Sequence, residues 1–210
     1  MTIKAYEFAQ VIIKVNQLLK IYKTNDPTTN KVQKNIILDE IRAIYIINNI
    51  DASEYITKLD DVRLSKARAT MILSEMKQFV EPFEMPSAQQ IEKLFKKVKK
   101  LKTPPSDQYD LQMMSYLGWN DIAANRKYIV YKSEDGAFKS MYGELSPTKV
   151  KGFCSICQHE SDVSLFLNKT KANSDGTYTK KGDYICHDSN VCNQHLDDIE
   201  KLYSFVQKVK

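Results

Sequence analysis

Cys154-Ser155-Ile156-Cys157, followed by Cys186 and Cys192, holds every cysteine in a chain of 210 residues, at the spacing Cys-x2-Cys-x28-Cys-x5-Cys. A Cys-x2-Cys turn is a knuckle that aims two thiolates at one tetrahedral ion, and soft sulfur ligands favour zinc. The second pair stands just before a terminal helical pattern, so the start of that helix can close the site. Knuckle, hairpin and helix in that order predict a treble-clef-like arrangement. Four thiolates complete a tetrahedron and leave no position for an activated water, so one structural Zn²⁺ is expected on Cys154, Cys157, Cys186 and Cys192. Its binding would contribute folding free energy directly. A redox Cys-x2-Cys would stand between a strand and a helix start, whereas this one precedes strand-like sequence. His159, His187 and His195 crowd the same region. His195, three residues after Cys192, is an alternative ligand; the all-cysteine site is preferred, with the histidines read as exposed neighbours.

Outward from the knuckle, the second half reads as α+β. Tyr116–Asp121, Lys127–Lys132, Phe138–Glu144, Val163–Leu167 and Thr177–Ile185 are short β-type segments. Asp135-Gly136 is a hairpin signal between two of them, and a loop containing Ser174-Asp175-Gly176 joins the last two. Leu196, Ile199, Leu202, Tyr203 and Val206 give a final helix over Gln194–Lys208 its inward face. Ser87-Ala88-Gln89-Gln90 is a capping box for a helix carrying Ile91, Leu94, Phe95, Val98 and Leu101, ended by Thr103-Pro104-Pro105. Between these apolar positions lie Lys93, Lys96, Lys97, Lys99, Lys100 and Lys102, either a solvated face or an electrostatic landing patch for an acidic partner.

The first half is helical throughout. Phe8, Ile12, Val15, Leu18, Leu19 and Tyr22 mark one helix face, and Asn25-Asp26-Pro27 interrupts it. A second helix over Thr29–Asn48 is expected to point Val32, Ile36, Ile37, Ile41, Ile44 and Ile47 inward. Asp51-Ala52-Ser53-Glu54 predicts a capping box for a short third helix through Leu59. Leu64, Ala67, Met71, Ile72, Met76 and Phe79 form the stripe of a fourth, stopped near Pro82. Four helices with short connections predict an up-and-down bundle over 1–83 with apolar stripes as plain core. Residues 84–210 form the second domain.

Composition excludes several classes. Gly and Pro total 12 residues, too few for a collagenous or linker-like chain. The net charge is +5, and Arg42, Arg63, Arg68 and Arg126 are the only arginines among 31 basic residues. Guanidinium forks are favoured for reading phosphates and base edges, so their scarcity argues against a nucleic-acid reader and against DNA in particular. The N-terminus lacks the basic start and apolar run of a secretory signal. No apolar run approaches the ~20 residues needed to cross a bilayer. A reducing cytoplasm is therefore expected, where clustered cysteines bind metal. There is no Gly-x-Ser-x-Gly elbow, phosphate-binding Gly-rich loop or dinucleotide fingerprint, and every histidine sits by the cysteines, so no enzyme is expected.

Tyr116-Leu117-Gly118-Trp119-Asn120-Asp121, Asn125-Arg126-Lys127-Tyr128-Ile129-Val130-Tyr131 and Tyr142-Gly143-Glu144 carry a resemblance. So do Val150-Lys151-Gly152-Phe153-Cys154, Ser164-Leu165-Phe166 and Lys180-Lys181-Gly182-Asp183-Tyr184-Ile185-Cys186. With these the chain resembles the FusB/FusC family of fusidic acid resistance proteins, the elongation factor G-binding proteins, closely over about 85–210 and in helix pattern over the first 84. The resemblance implies an α+β protein: an N-terminal helical bundle, then a C-terminal α/β domain with a four-cysteine treble-clef zinc finger. It implies binding to the C-terminal domains of elongation factor G. It also implies release of the factor from fusidic acid-stalled ribosomes, with the ribosome touched only indirectly and the drug neither modified nor exported. Family positions for factor binding fall on Phe153, Lys181, Tyr184 and Phe205. Phe153 and Phe205 are equally readable as core. A monomer is expected. The alternative function is a zinc finger binding ribosomal RNA directly.

Overall fold

The structure is a computed structural model and describes residues 1–24, 27–104, 108–169 and 179–210. The Asn25-Asp26 interruption, Pro105 and the Ser174-Asp175-Gly176 loop lie outside the described residues. Four helices come first: α1 (Ala5–Ile21), α2 (Pro27–Ile47), α3 (Ser53–Leu59) and α4 (Lys66–Met76). Pro27 opens α2, where its missing N–H costs nothing. Ser65 caps α4 by accepting the Arg68 N–H. The expected capping box at Asp51 is displaced. Ala52 is the cap residue, Asp51 Oδ1 accepts from Ser53 N at 2.9 Å, and Glu54 pairs with Lys58 at 2.7 Å.

Phe8, Val15 and Leu18 of α1 meet Leu38, Ile41 and Tyr45 of α2, Ile56 and Leu59 of α3, and Ile72 and Met76 of α4 in one core. Two expected stripes turn out differently. Val32, Ile36 and Ile47 of α2, and Met71 of α4, are exposed rather than inward. Apolar residues fall on more than one side of α2, interleaved with polar ones, so periodicity could not select its face. Packed against α1 and α3, it buries the Leu38–Ile41–Tyr45 side and leaves the other to water. Ile3 closes this region, donating to Phe79 O and accepting from Glu81 N, both at 2.9 Å.

Helix α5 (Ala88–Leu94) follows, with both capping-box bonds between Ser87 and Gln90 present. It ends at Leu94, not near Leu101. Phe95 leaves the helix to place its ring edge-on to Trp119, Tyr128 and Tyr142, at 5.7, 5.3 and 6.1 Å. Trp119 Nε1 donates to Lys102 O at 3.0 Å, pinning the lysine-rich segment to the sheet while its lysines face solvent. Tertiary aromatic packing here overrides a helical pattern.

Among the described residues the sheet has six antiparallel strands: β1 (Leu117–Asp121), β2 (Arg126–Lys132), β3 (Phe138–Leu145), β4 (Val150–Phe153), β5 (Glu160–Lys169) and β6 (Lys180–Cys186). Strand β4 was not among the expected segments. It is short, and its residues are largely exposed. Gly136, at φ +78°, makes the β2–β3 turn that Asp135-Gly136 signals. Beta-1 pairs with β2 and β2 with β3. Beta-5 pairs with β6 along one edge and shares its other edge between β4 and β3. Gly182 permits the β5–β6 approach: a Cβ there would sit 1.9 Å from Phe166 O.

Strand alternation sends the two faces of β2 into different cores. Tyr128 and Val130 join Phe95 and Trp119 under α5, whereas Ile129 and Tyr131 join the cysteine side. The expected terminal helix is two, α6 (Ser189–His195) and α7 (Ile199–Val209), because Asp188 and Asp198 each start a new one by capping. Alpha-6 packs on α1, and Gln10 Nε2 donates to Asp197 O at 2.6 Å. An ion pair joins Lys77 to Asp110, and Gln112 Nε2 donates to Lys77 O at 3.0 Å.

Candidate metal centre

The knuckle forms where β4 leads into β5. Cys154 N donates to His159 O at 3.0 Å, Gln158 N donates to Cys154 O at 2.8 Å, and Gln158 takes the left-handed φ of +60° that the tight turn needs. Cys186 ends β6, and Cys192 lies within α6 after the Asp188 cap. All four cysteines are buried, and their sulfurs lie within 4.8 Å of one another. The Cys154–Cys192 and Cys157–Cys186 sulfur separations are both 3.8 Å. That is far beyond a disulfide bond. It matches the ~3.8 Å edge of a tetrahedron whose zinc–sulfur bonds are about 2.3 Å.

The surroundings suit thiolates. Ile156 N and Cys186 N donate to Cys154 Sγ at 3.3 and 3.2 Å. Hydrogen bonds from Cys157, Cys186 and Cys192 pull the Cys154 thiol far below its ordinary value, while burial pushes Cys192 well up. Four crowded thiols cannot all ionise on their own, and a divalent cation removes that conflict. The Tyr116 hydroxyl is wholly buried beside Cys192 and Ser189, and burial raises its pKa well above 10. The arrangement is that of a structural zinc site in a treble-clef finger, as expected from the spacing.

No histidine ring nitrogen joins this group among the described residues. All three histidines are half-buried rather than exposed. His159 and His195 stack at 5.0 Å, His159 Nδ1 lies 2.9 Å from Cys157 O, and His187 Nδ1 lies 2.9 Å from Ser164 Oγ.

The four other singled-out positions separate. Phe153, at the end of β4, is 72% exposed, and Tyr184, on β6, is 44% exposed. Ser155 N donates to Tyr184 O at 2.8 Å, so both aromatics sit at the knuckle end of the sheet. Lys181 is exposed on the same strand but three residues away, about 10 Å by strand rise and on the opposite side of the pleat. Phe205 is 2% exposed, packed 6.0 Å from Phe166 in the core. Of the two readings open for each phenylalanine, surface holds for Phe153 and core for Phe205.

One buried residue escaped the sequence reading. Lys127 is 1% exposed and lies on β2 opposite Asn120. Its signal was available: with β2 as a strand, Lys127 shares a face with Ile129 and Tyr131.

Comparison with known proteins follows the same outline. Residues 2–84 match the family described as elongation factor G-binding protein, N-terminal, and residues 90–204 match the FBP C-terminal treble-clef zinc-finger. No curated protein matches. Among solved structures, the fusidic acid resistance protein FusC is 56% identical over 100% of this chain and 98% of that chain, with a TM-score of 0.96. No helix among the described residues is long and apolar enough to cross a membrane. An N-terminal set of helices joined to an antiparallel sheet that gathers four cysteines is the architecture of these proteins, and the chain belongs to the FusB/FusC family of elongation factor G-binding proteins.

Proposed function

We propose that this protein binds elongation factor G, at the factor's C-terminal domains, and frees it from ribosomes on which fusidic acid has trapped it. The observation that carries this reading is the full-length likeness to FusC, a fusidic acid resistance protein, at 56% identity. Cys154, Cys157, Cys186 and Cys192 hold one zinc, which fixes the knuckle. Phe153 and Tyr184 present rings on that rigid base, Lys181 adds charge further along β6, and Phe205 supports the strands from beneath. Exposed aromatics on a preordered surface are good interface anchors, because little side-chain entropy is lost when they dock. The chain works as two units, 1–83 and 84–210, as a cytoplasmic monomer, and without catalysis.

The mechanism is a population shift. A binder changes its target's conformation only by the difference in its affinity for the target's states. If the zinc-bearing face prefers a form of the factor that cannot stay seated, binding speeds departure while the drug remains intact. The test is the dissociation rate of labelled factor from drug-stalled ribosomes, with and without the purified protein. Faster dissociation with wild type, lost with a folded Tyr184→Ala, supports the proposal; an unchanged rate with wild type sinks it. Direct binding to ribosomal RNA, weakening steeply with salt, would instead favour contact through the lysines of 93–102.

A further inference from the structure

Lys127 has no part in factor binding as proposed above, yet it is among the largest fully buried side chains of the protein. Its Nζ donates to His187 O at 2.9 Å and to Asn120 Oδ1 at 3.2 Å. Asn120 Nδ2 donates to the same His187 carbonyl at 3.0 Å. Two register partners on β1 and β2 thus grip one peptide group. That peptide follows Cys186 directly, and the next residue, Asp188, caps the helix that carries Cys192. Gly118 on β1 lets this arm approach, since a Cβ there would lie 2.3 Å from Ser189 Oγ. From the other side, His187 N donates to Asp162 O at 2.9 Å.

A buried ammonium needs negative charge nearby, and neutral carbonyls compensate it only in part. No carboxylate forms an ion pair with Lys127 among the described residues. The negative groups that favour its charged form are Cys192, Asp188, Cys186 and Cys154, acting against the burial that pulls it down to about 8. Three of these four are cysteines of the metal centre. A divalent ion bound by four thiolates leaves two net negative charges in the protein interior. Zinc-thiolate centres are tuned by groups that orient their ligands and set the field around them.

We propose that Lys127 is the buried counter-charge of the zinc centre and the positioning residue for its Cys186–Cys192 arm. The proposal rests on the zinc assignment above. It gives a purpose to Lys127, the single buried lysine among the described residues, and explains why its acceptors are a neutral amide and a carbonyl. Its charge is left for the sulfurs and the Asp188 carboxylate beside them.

The test uses the full-length, zinc-loaded protein and two variants. Lys127→Gln keeps a donor near His187 O but loses the charge; Asn120→Asp, nearly isosteric, places a carboxylate beside the ammonium, diverting its charge, and removes the Nδ2 donor to His187 O. Zinc content, the rate of zinc transfer to a chromophoric chelator, and the sulfur-to-metal charge-transfer band of the cobalt-substituted protein are measured. We expect one zinc per chain in all three proteins, transfer at least tenfold faster in Lys127→Gln and several-fold faster in Asn120→Asp, and a shifted cobalt band in both. A wild-type transfer rate and an unshifted band in the variants overturn the role of Lys127. If Lys127→Gln does not fold, Asn120→Asp alone decides. A wild-type chain that takes up no zinc is a separate failure, that of the underlying zinc assignment.

Discussion

The helical N-terminal region and the sheet that follows it are stabilised by different means. The core of α1–α4 is built from Phe8, Val15, Leu18, Ile41, Leu59, Met76 and their neighbours, and its surface pairs, such as Lys34–Asp60 and Lys14–Glu40, are solvent-exposed or half-buried. In the sheet region, Cys154, Cys157, Cys186 and Cys192 belong to the same buried cluster as Phe166, Phe205 and Leu202. There, four polarisable but ionisable groups occupy core positions, so the core is complete only when their charge is settled. One chain thus joins a region that folds by apolar burial to one whose packing depends on a metal.

Zinc removal tests that contrast most severely. Structural zinc contributes an apparent ~10–16 kcal/mol in small finger peptides, so chelation, or Cys154→Ser, is expected to abolish hydrogen-exchange protection through β4–β6, α6 and α7. Helices α1–α4 should keep theirs. Simultaneous loss in both regions would break the comparison and show that the α1–α6 contact makes them one cooperative unit.

The converse variant is Phe8→Ala. Deleting a buried phenylalanine ring costs about 3–5 kcal/mol, which should appear as a lower unfolding midpoint for the helical region in denaturant. Zinc should remain at one per chain by metal analysis. A fall in zinc content would again mean that the regions are coupled.

At the knuckle, function and stability should separate. Phe153→Ala and Tyr184→Ala remove exposed rings, so stability should move by no more than about 0.5 kcal/mol. Affinity for elongation factor G, measured calorimetrically, should fall by about 2 kcal/mol, roughly 30-fold. Phe205→Ala should do the reverse, losing stability first. The smallest effect is expected at the junction. Lys77→Ala breaks the ion pair with Asp110, half exposed on the acid's side, and should cost about 0.2–1 kcal/mol, fading with added salt.

What could be read in advance differed between the two regions for a physical reason. The cysteine spacing specified a site because a knuckle and a later pair have few ways to surround one ion. The Ser87–Gln90 cap and the Gly136 turn are local, and each appears where its residues stand. The inward face of α2 was not legible, since Val32, Ile36 and Ile47 satisfy helical spacing as well as Leu38, Ile41 and Tyr45 do. The lysine-rich helix beyond Leu94 failed because Phe95 gains more from three aromatic neighbours than from one further helical turn.

Residue spacing alone determined that this chain carries helices first and a four-cysteine zinc finger second, because both depend on short-range periodicity and ligand geometry. Only the tertiary structure decided that Phe153 faces water while Phe205 lies in the core. It alone showed that His195 stays out of the cysteine group, and that Lys127 is buried against the Cys186–Cys192 arm. Those outcomes depend on which elements cover one another, and contacts between residues distant in sequence are set by packing the whole sheet against α6 and α7.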